Sequence, residues 1–315
     1  MRHPLYGFIL AAATVAAAIS LATVPVAGQR RQAPPAPATS ACPDDTPAAF
    51  HACATEAAKR FDPPRTSARH PDFSGIWRRM ARAHEDLHEH PRTQDDTGGP
   101  SVIVAPADGL VPMQPWAEAH RQEIVSKYLH HNAACFLSGV PLTMFMTGQF
   151  QFLQTPTHFV VLSEESHAFR SVPFDGRPHI DSDITLWQGD SIGRWEGNTL
   201  VIDTTNQNAR VFLDQRARFY TDEAQVVERL TLVDADTLHY QATVDDPNVY
   251  TRPFTIAFAY RRNAEPGVEL WEEACYEGNA LSMEHFLTRF EIYPGITAEQ
   301  ARELRRAWEA REGAR

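Results

Sequence analysis

The feature that most constrains this chain is a two-residue rhythm of apolar and polar side chains, carried by pairs of short segments through its second half. Phe159 to Glu164 and Ala168 to Phe174 flank a Glu165-Ser166 turn, and Ser191 to Trp195 and Thr199 to Thr204 flank Glu196-Gly197-Asn198. Val226 to Val233 and Leu238 to Asp245 flank Asp234-Ala235-Asp236, while Thr255 to Arg262 and Glu269 to Cys275 flank a turn from Asn263 to Gly267. A period of two sends alternate side chains to opposite faces of an extended strand. Hairpins in succession, with no helix between them, give an antiparallel meander. Eight such strands suffice to close a small barrel without exposed edges. The predicted fold is therefore mainly β, a barrel with flanking helices; a β-sandwich is the alternative. Pro247 and Pro253 fall in the connection after Asp245, where no ladder donor is needed.

Helical signals lie on either side. Residues 43–61 carry Ala and Lys at helical spacing and stop at Pro63-Pro64. Pro115 to His131 opens with a proline suited to a first turn and can place Trp116, Ala119, Ile124 and Tyr128 on one face. Ala298 to Arg311 is strongly charged, with Thr297 as its cap and Leu304 and Trp308 one turn apart. Arg92 to Gly109 is polar and turn-rich and reads as loop. The predicted organisation is a signal peptide over 1–28, then a Pro/Ala-rich linker and short helical segment over 29–72. A β-rich domain over 73–295, with a helical insertion at 115–131, and a charged helix over 296–315 complete it.

The N-terminus reads as an export signal: Arg2 is the positive end, Leu5 to Val26 the apolar run, and Val26-Ala27-Gly28 the small residues for cleavage. Cleavage predicts a mature chain beginning near Gln29, exported to the periplasm or beyond, with no stable membrane insertion. An uncleaved anchor is the alternative, since about 20 apolar residues span a bilayer; the alanine content and Pro25 favour cleavage. Four cysteines, Cys42, Cys53, Cys135 and Cys275, permit two disulfides in an oxidising compartment. Of the possible pairings we favour Cys42–Cys53, a short local loop, with Cys135–Cys275, which ties the start of the main domain to its end. Hydrophobic content of 43% with 22% charged residues excludes wholesale disorder and multispanning membrane architectures. Lys+Arg 29 against Asp+Glu 40, without a long basic run, excludes nucleic acid as a partner.

Alternation selects the candidate interior residues. Glu228 shares a face with Val226, Leu230 and Leu232, and a carboxylate on an apolar barrel face must be paired or have a raised pKa. Arg194 and Arg229 are its candidate partners. Leu238, Tyr240, Ala242 and Val244 form the matching face of the next strand, and Trp187, Trp195, Tyr250 and Trp271 could line a cavity. His179, Asp190, Arg177 and Arg194 occupy the turn-rich segment that feeds one barrel end. With Glu228 they could assemble an acid/base set and a cationic clamp, so that Glu228, His179 and Asp190 are the candidate catalytic groups. The expected ligand is a small, partly apolar molecule in the barrel mouth, bound or transformed there. A competing motif is His84-Glu85-Asp86-Leu87-His88, the H-E-x-x-H pattern of zinc hydrolases, for which Glu118 or Glu123 would supply a further ligand. Outside that zinc alternative no cofactor is expected: the chain has no Gly-x-Ser-x-Gly elbow, phosphate-binding Gly-rich loop or Cys-x-x-Cys pair.

Two resemblances add to this reading. Phe73-Ser74-Gly75-Ile76-Trp77 resembles the Gly-x-Trp opening of lipocalin-type barrels, which implies architecture alone. From Pro112 to Asn279 the ordered motifs are more extensive: Asp175-Gly176-Arg177-Pro178-His179; Gly189-Asp190-Ser191-Ile192-Gly193-Arg194-Trp195-Glu196-Gly197-Asn198-Thr199-Leu200-Val201-Ile202-Asp203-Thr204-Thr205; Val227-Glu228-Arg229; Asp236-Thr237-Leu238; Asp245-Asp246-Pro247; and Cys275 with Glu277 and Asn279. These resemble an exported bacterial family with many paralogues, for which no activity is implied. The family pattern carries His where this chain has Asp190 and Tyr276, and His-Ser-Glu near Tyr220 to Glu223, so no histidine-based site passes to this chain.

Overall fold

Apolar residues spaced two apart on successive strands must meet across a sheet to leave water, and in the computed structural model they do so around a common interior. The structure describes residues 42–80, 86–93, 97–165 and 168–314; the expected signal segment lies outside them. One antiparallel sheet is built from β1 (Gly75–Arg79), β2 (Ile103–Ala105), β4 (Gln149–Gln154), β5 (His158–Ser163), β6 (Phe169–Pro173), β7 (Asp190–Glu196), β8 (Thr199–Thr205), β9 (Gln225–Leu232), β10 (Thr237–Asp245) and β11 (Phe254–Arg262). β3 (Tyr128–Leu129) and β12 (Glu291–Ile292) form a separate parallel pair. The helices are α1 (Pro47–Ala57), α2 (Pro115–Ile124), α3 (Cys275–Arg289) and α4 (Ala298–Glu312).

The strand order is β6-β5-β4-β1-β11-β10-β9-β8-β7, with β2 added along β11. Three of the expected hairpins form, β5 with β6, β7 with β8 and β9 with β10. The fourth does not. Residues 269–274 are not a strand, and Cys275, bonded to Cys135, opens α3 instead. The second edge of β11 is taken by β1, with Arg79 opposite Tyr260 and Trp77 opposite Arg262. The strand bearing Gly75-Ile76-Trp77 thus joins the early meander β4–β6 to the late meander β7–β11. Trp77 is fully buried near the tight-turn end, its indole donating to the Phe73 carbonyl (2.8 Å). The helix expected to reach His131 stops at Ile124, because Tyr128 and Leu129 extend to pair with β12.

The two end strands, β6 and β7, come together without a backbone ladder, so the barrel is nearly rather than fully closed. A Cβ at Gly193 of β7 would lie 2.7 Å from the Phe174 ring and 2.9 Å from Val172, so only glycine admits this approach. Aromatic side chains fill the interior: Trp77, Phe150, Phe152, Phe159, Tyr240, Phe258 and Tyr260 are all buried. The pairing also makes the ends unequal. Short turns (155–157, 197–198, 233–236) close one end, whereas the long connections 106–148, 206–224 and 246–253 all leave from the other.

Both expected disulfides are present, with Cα separations of 5.6 Å for Cys42–Cys53 and 5.8 Å for Cys135–Cys275. The first braces α1, whose Phe50 and Ala54 pack on Val233 and Ala259 of the barrel's outer face. α4 begins at the cap foreseen at Thr297, which with Gln300 forms a capping box, and Arg302 pairs with Glu223 (3.0 Å). No helix among the described residues is long and apolar enough to cross a membrane.

Candidate functional site

Glu228 points inward with Val226, Leu230 and Leu232, and all four are buried. Its partner is neither Arg194 nor Arg229. Those two reach Glu196 instead, at 2.9 Å each, because alternation puts them on the opposite face of their strands. The partner is Arg170, which crosses the seam from β6. Its Nη1 donates to Glu228 Oε1 (3.0 Å), its Nη2 to Glu228 Oε2 and to Thr204 Oγ1 (2.8 Å), and its Nε to Ser191 Oγ (2.9 Å). The Tyr240 hydroxyl donates to Glu228 Oε1 (2.9 Å), and burial together with that carboxylate pushes the phenol well above its ordinary pKa. Side chains thus supply the bonds that a β6–β7 ladder would have made. Enclosed by aromatic rings and fully hydrogen-bonded, Glu228 is a seam residue.

One residue along β7, Asp190 turns to the other side. Arg177 grips it with two bonds (2.9 and 2.5 Å), His179 Nδ1 lies 2.9 Å from Oδ2, and the Ile180 amide donates to the same oxygen (3.2 Å). Arg177 above all, with His179 and the amide, pulls the Asp190 carboxyl down to about 2. At neutral pH it is an ionised acceptor and orients the imidazole. His179 Nε2 lies 4.0 Å from Asp203 Oδ1, and the ring is partly exposed. The structure therefore brings together Arg177, His179 and Asp190. It separates them from Glu228, which is inside, and from Arg194, which sits toward the tight-turn end. Arg177 is occupied by Asp190 and is not a free clamp.

The four aromatic candidates do not share a cavity. Trp187 stacks on Phe136 (5.2 Å between centroids), Trp195 stacks on His70 (4.8 Å), and Tyr250 is buried with its hydroxyl donating to the Phe219 carbonyl (2.5 Å). Trp271 is 79% exposed. An amphiphilic ring reads the same in sequence whether it packs into a core or faces water.

Of the zinc motif, His84 and Glu85 lie outside the described residues. His88 lies in a bend and not in a helix. Its Nε2 accepts the Val111 amide (2.9 Å) and its Nδ1 is 2.7 Å from Arg218 Nη2; burial and then Arg218 lower its pKa. The neutral ring has a single lone pair, and N–H groups face both of its nitrogens, so neither is open to a metal. Glu118 is held by Arg121 (2.6 Å). Among the described residues no three His, Cys, Asp or Glu are grouped to hold a metal ion.

The feature that sequence reading missed is a cleft of about 500 Å³ at the loop-covered end. Val125, Tyr128, Met146 and Phe212 line it with apolar surface, and Asn132, Thr147, Glu165 and Gln215 add polar groups. The long 106–148 connection supplies most of these, braced by the Cys135–Cys275 disulfide just beyond the one-turn helix His131–Ala134. Glu165 comes from the β5–β6 turn. Tyr128 is shared with a second cleft of about 410 Å³, whose lining includes Tyr293, Ile296, Leu304 and Ala307. Of these residues, Glu165 was placed in a turn between two readable strands, and Val125 and Tyr128 in a helix that in the structure ends at Ile124; the rest lie in connections without periodicity. No family model, curated protein or solved structure matches this chain.

Proposed function

We propose that this protein is exported and that it binds, and carries or transforms, a small, partly apolar molecule at the loop-covered end of the barrel. The observation that carries this reading is the 500 Å³ cleft, which falls in the size range of small-molecule sites and combines apolar walls with a few convergent polar groups. The barrel interior is packed with aromatic rings and the Arg170–Glu228 pair, so the ligand sits in the cap of loops over the barrel and not inside it. Two disulfides support an oxidising compartment, in keeping with the apolar N-terminal run.

The residues behind the family resemblance, Arg177, His179, Asp190, Gly193 and Glu228, occupy the seam and the outer cluster, away from the cleft walls. We infer that those motifs specify the barrel and that the loops of this particular chain choose the ligand.

Native mass spectrometry of the protein purified from its own host tests the reading. A retained small molecule is expected, lost on Gln215→Trp and on Val125→Trp, two exposed lining positions where the fold tolerates a large ring. Undiminished retention in both variants, with circular dichroism unchanged, overturns it. N-terminal sequencing of the same sample is expected to begin near Gln29, and a start at Met1 refutes signal cleavage.

A further inference from the structure

We propose that the cleft selects a ligand bearing a protonated amine beside an apolar body; the inference rests on the cleft reading above. Glu165 is the one carboxylate among the described lining residues, and no Lys or Arg is among them. Arg79, which donates to the Met146 carbonyl (2.6 Å), is not in the lining. The groups that hold Glu165 are neutral: Asn132 Nδ2 donates to Oε1 (3.2 Å) and the Thr147 hydroxyl to Oε2 (2.5 Å). These bonds fix the carboxylate without cancelling its charge. The Ser138 hydroxyl donates to Asn132 Oδ1 (3.1 Å), which sets the amide so that its NH2 faces Glu165. Each carboxylate oxygen keeps acceptor capacity after one bond, so an ammonium group can be received at the cleft.

The contrast with the two carboxylates of the seam and the outer cluster is direct. Glu228 and Asp190 each have an arginine on both oxygens, and neither has charge left for a ligand. Around Glu165 the remaining wall suits a cation as well. Tyr128 and Phe212 offer ring faces and Met146 a polarisable thioether. The Tyr128 ring already attracts one cation, the exposed Lys127 ammonium 4.7 Å from its centroid. The imidazole on the wall, His130, accepts the Asn132 amide at Nδ1 (3.3 Å). A net charge of −11 favours the approach of cations over anions. A carboxylate or phosphate ligand would meet Glu165 unpaired.

The test titrates the full chain calorimetrically with hexylammonium and phenethylammonium, each against its neutral counterpart, hexanol and phenethyl alcohol. The ammonium forms are expected to bind about tenfold or more tightly than the alcohols, the scale of one charge-assisted hydrogen bond. Glu165→Gln is expected to abolish that preference, with circular dichroism reporting an intact fold; Gln215→Trp is expected to weaken both. Equal binding of amine and alcohol, or a preference that survives Glu165→Gln, overturns the amine inference while the cleft stands. Binding of neither probe, or binding indifferent to Gln215→Trp, overturns both readings.

Discussion

Asp190 and Ser191 are adjacent on β7, yet they serve two ion-pair systems with opposite fates. Ser191 faces inward and helps to seat Arg170 on Glu228, a pair with 4% and 0% of its side chains exposed. Asp190 faces the other side of the strand, where its carboxylate is 8% exposed and the Arg177 that clamps it is 34% exposed. The chemistry is the same, a bidentate guanidinium on a carboxylate, and burial alone decides what it is worth. Inside, every polar atom must be matched or the barrel loses the pair's full desolvation cost. Outside, water reaches the Arg177 guanidinium while the Asp190 carboxylate stays largely covered, so the pair is screened on one side only. The comparison teaches that a strand can build a structural seam and an accessible polar cluster from consecutive residues, and that a charged residue's role follows from the face it occupies.

The largest effect should come from the inner pair. Glu228→Ala leaves the Arg170 charge buried and should cost about 3–5 kcal/mol in urea unfolding. A loss of about 2 kcal/mol or less would make the seam equivalent to the outer cluster and break the comparison. Arg170→Met combined with Glu228→Leu should cost less than either single change, because the second substitution removes the stranded charge.

Between the two extremes stands His239, buried beneath α1 with its Nε2 3.1 Å from His51 Nδ1 and, among the described residues, no counter-charge. Burial, and then His51, hold it down to about 3 from an ordinary 6.5. The unfolded chain therefore takes up a proton below about pH 6.5 that the native protein refuses until about pH 3. Stability should fall with pH across that window by up to about 1.4 kcal/mol per unit. His239→Leu should flatten the slope; an unchanged slope measured by denaturant titration would assign the acid sensitivity elsewhere.

The smallest effect should come from the outer cluster. Arg177→Met should cost about 1–2 kcal/mol by chemical denaturation, less than the inner pair because the guanidinium is already in contact with water. Asp190, with its carboxyl lowered to about 2 from 3.8, contributes stability that is fully present above about pH 4 and is lost as pH falls toward 2. Asp190→Asn should remove that acid-side loss and leave the slope between pH 4 and 6.5 intact, which separates its contribution from that of His239.

How far each region could be read in advance follows the same division. The inward orientation of Glu228 was legible from Val226, Leu230 and Leu232, because side-chain period is local to a strand. Its partner was not: Arg170 lies 58 residues away and reaches Glu228 only because the two ends of the sheet curl together. The cluster of Arg177, His179 and Asp190 was legible as a set, since the connection that carries Arg177 and His179 runs directly into Asp190 at the start of β7. Its restriction to the outer face, and the displacement of Glu228 and Arg194 from it, emerged only with the pleat. The aromatic candidates were legible as large apolar groups and no further. Trp271 shows the limit, because an indole in sequence carries no sign of whether a wall exists beside it.

By itself the sequence determined the period-two strands, the three local hairpins, the capped C-terminal helix and a cysteine set that resolves into two disulfides, because each depends on residues close in the chain or on pairings few in number. The tertiary structure alone decided that β1 enters between β4 and β11, that Arg170 closes the seam, and that a cleft opens under the 106–148 connection. These are consequences of closing a sheet upon itself, where the partner of each strand edge, and the space left between aperiodic loops, are set by the path of the whole chain and by no segment of it.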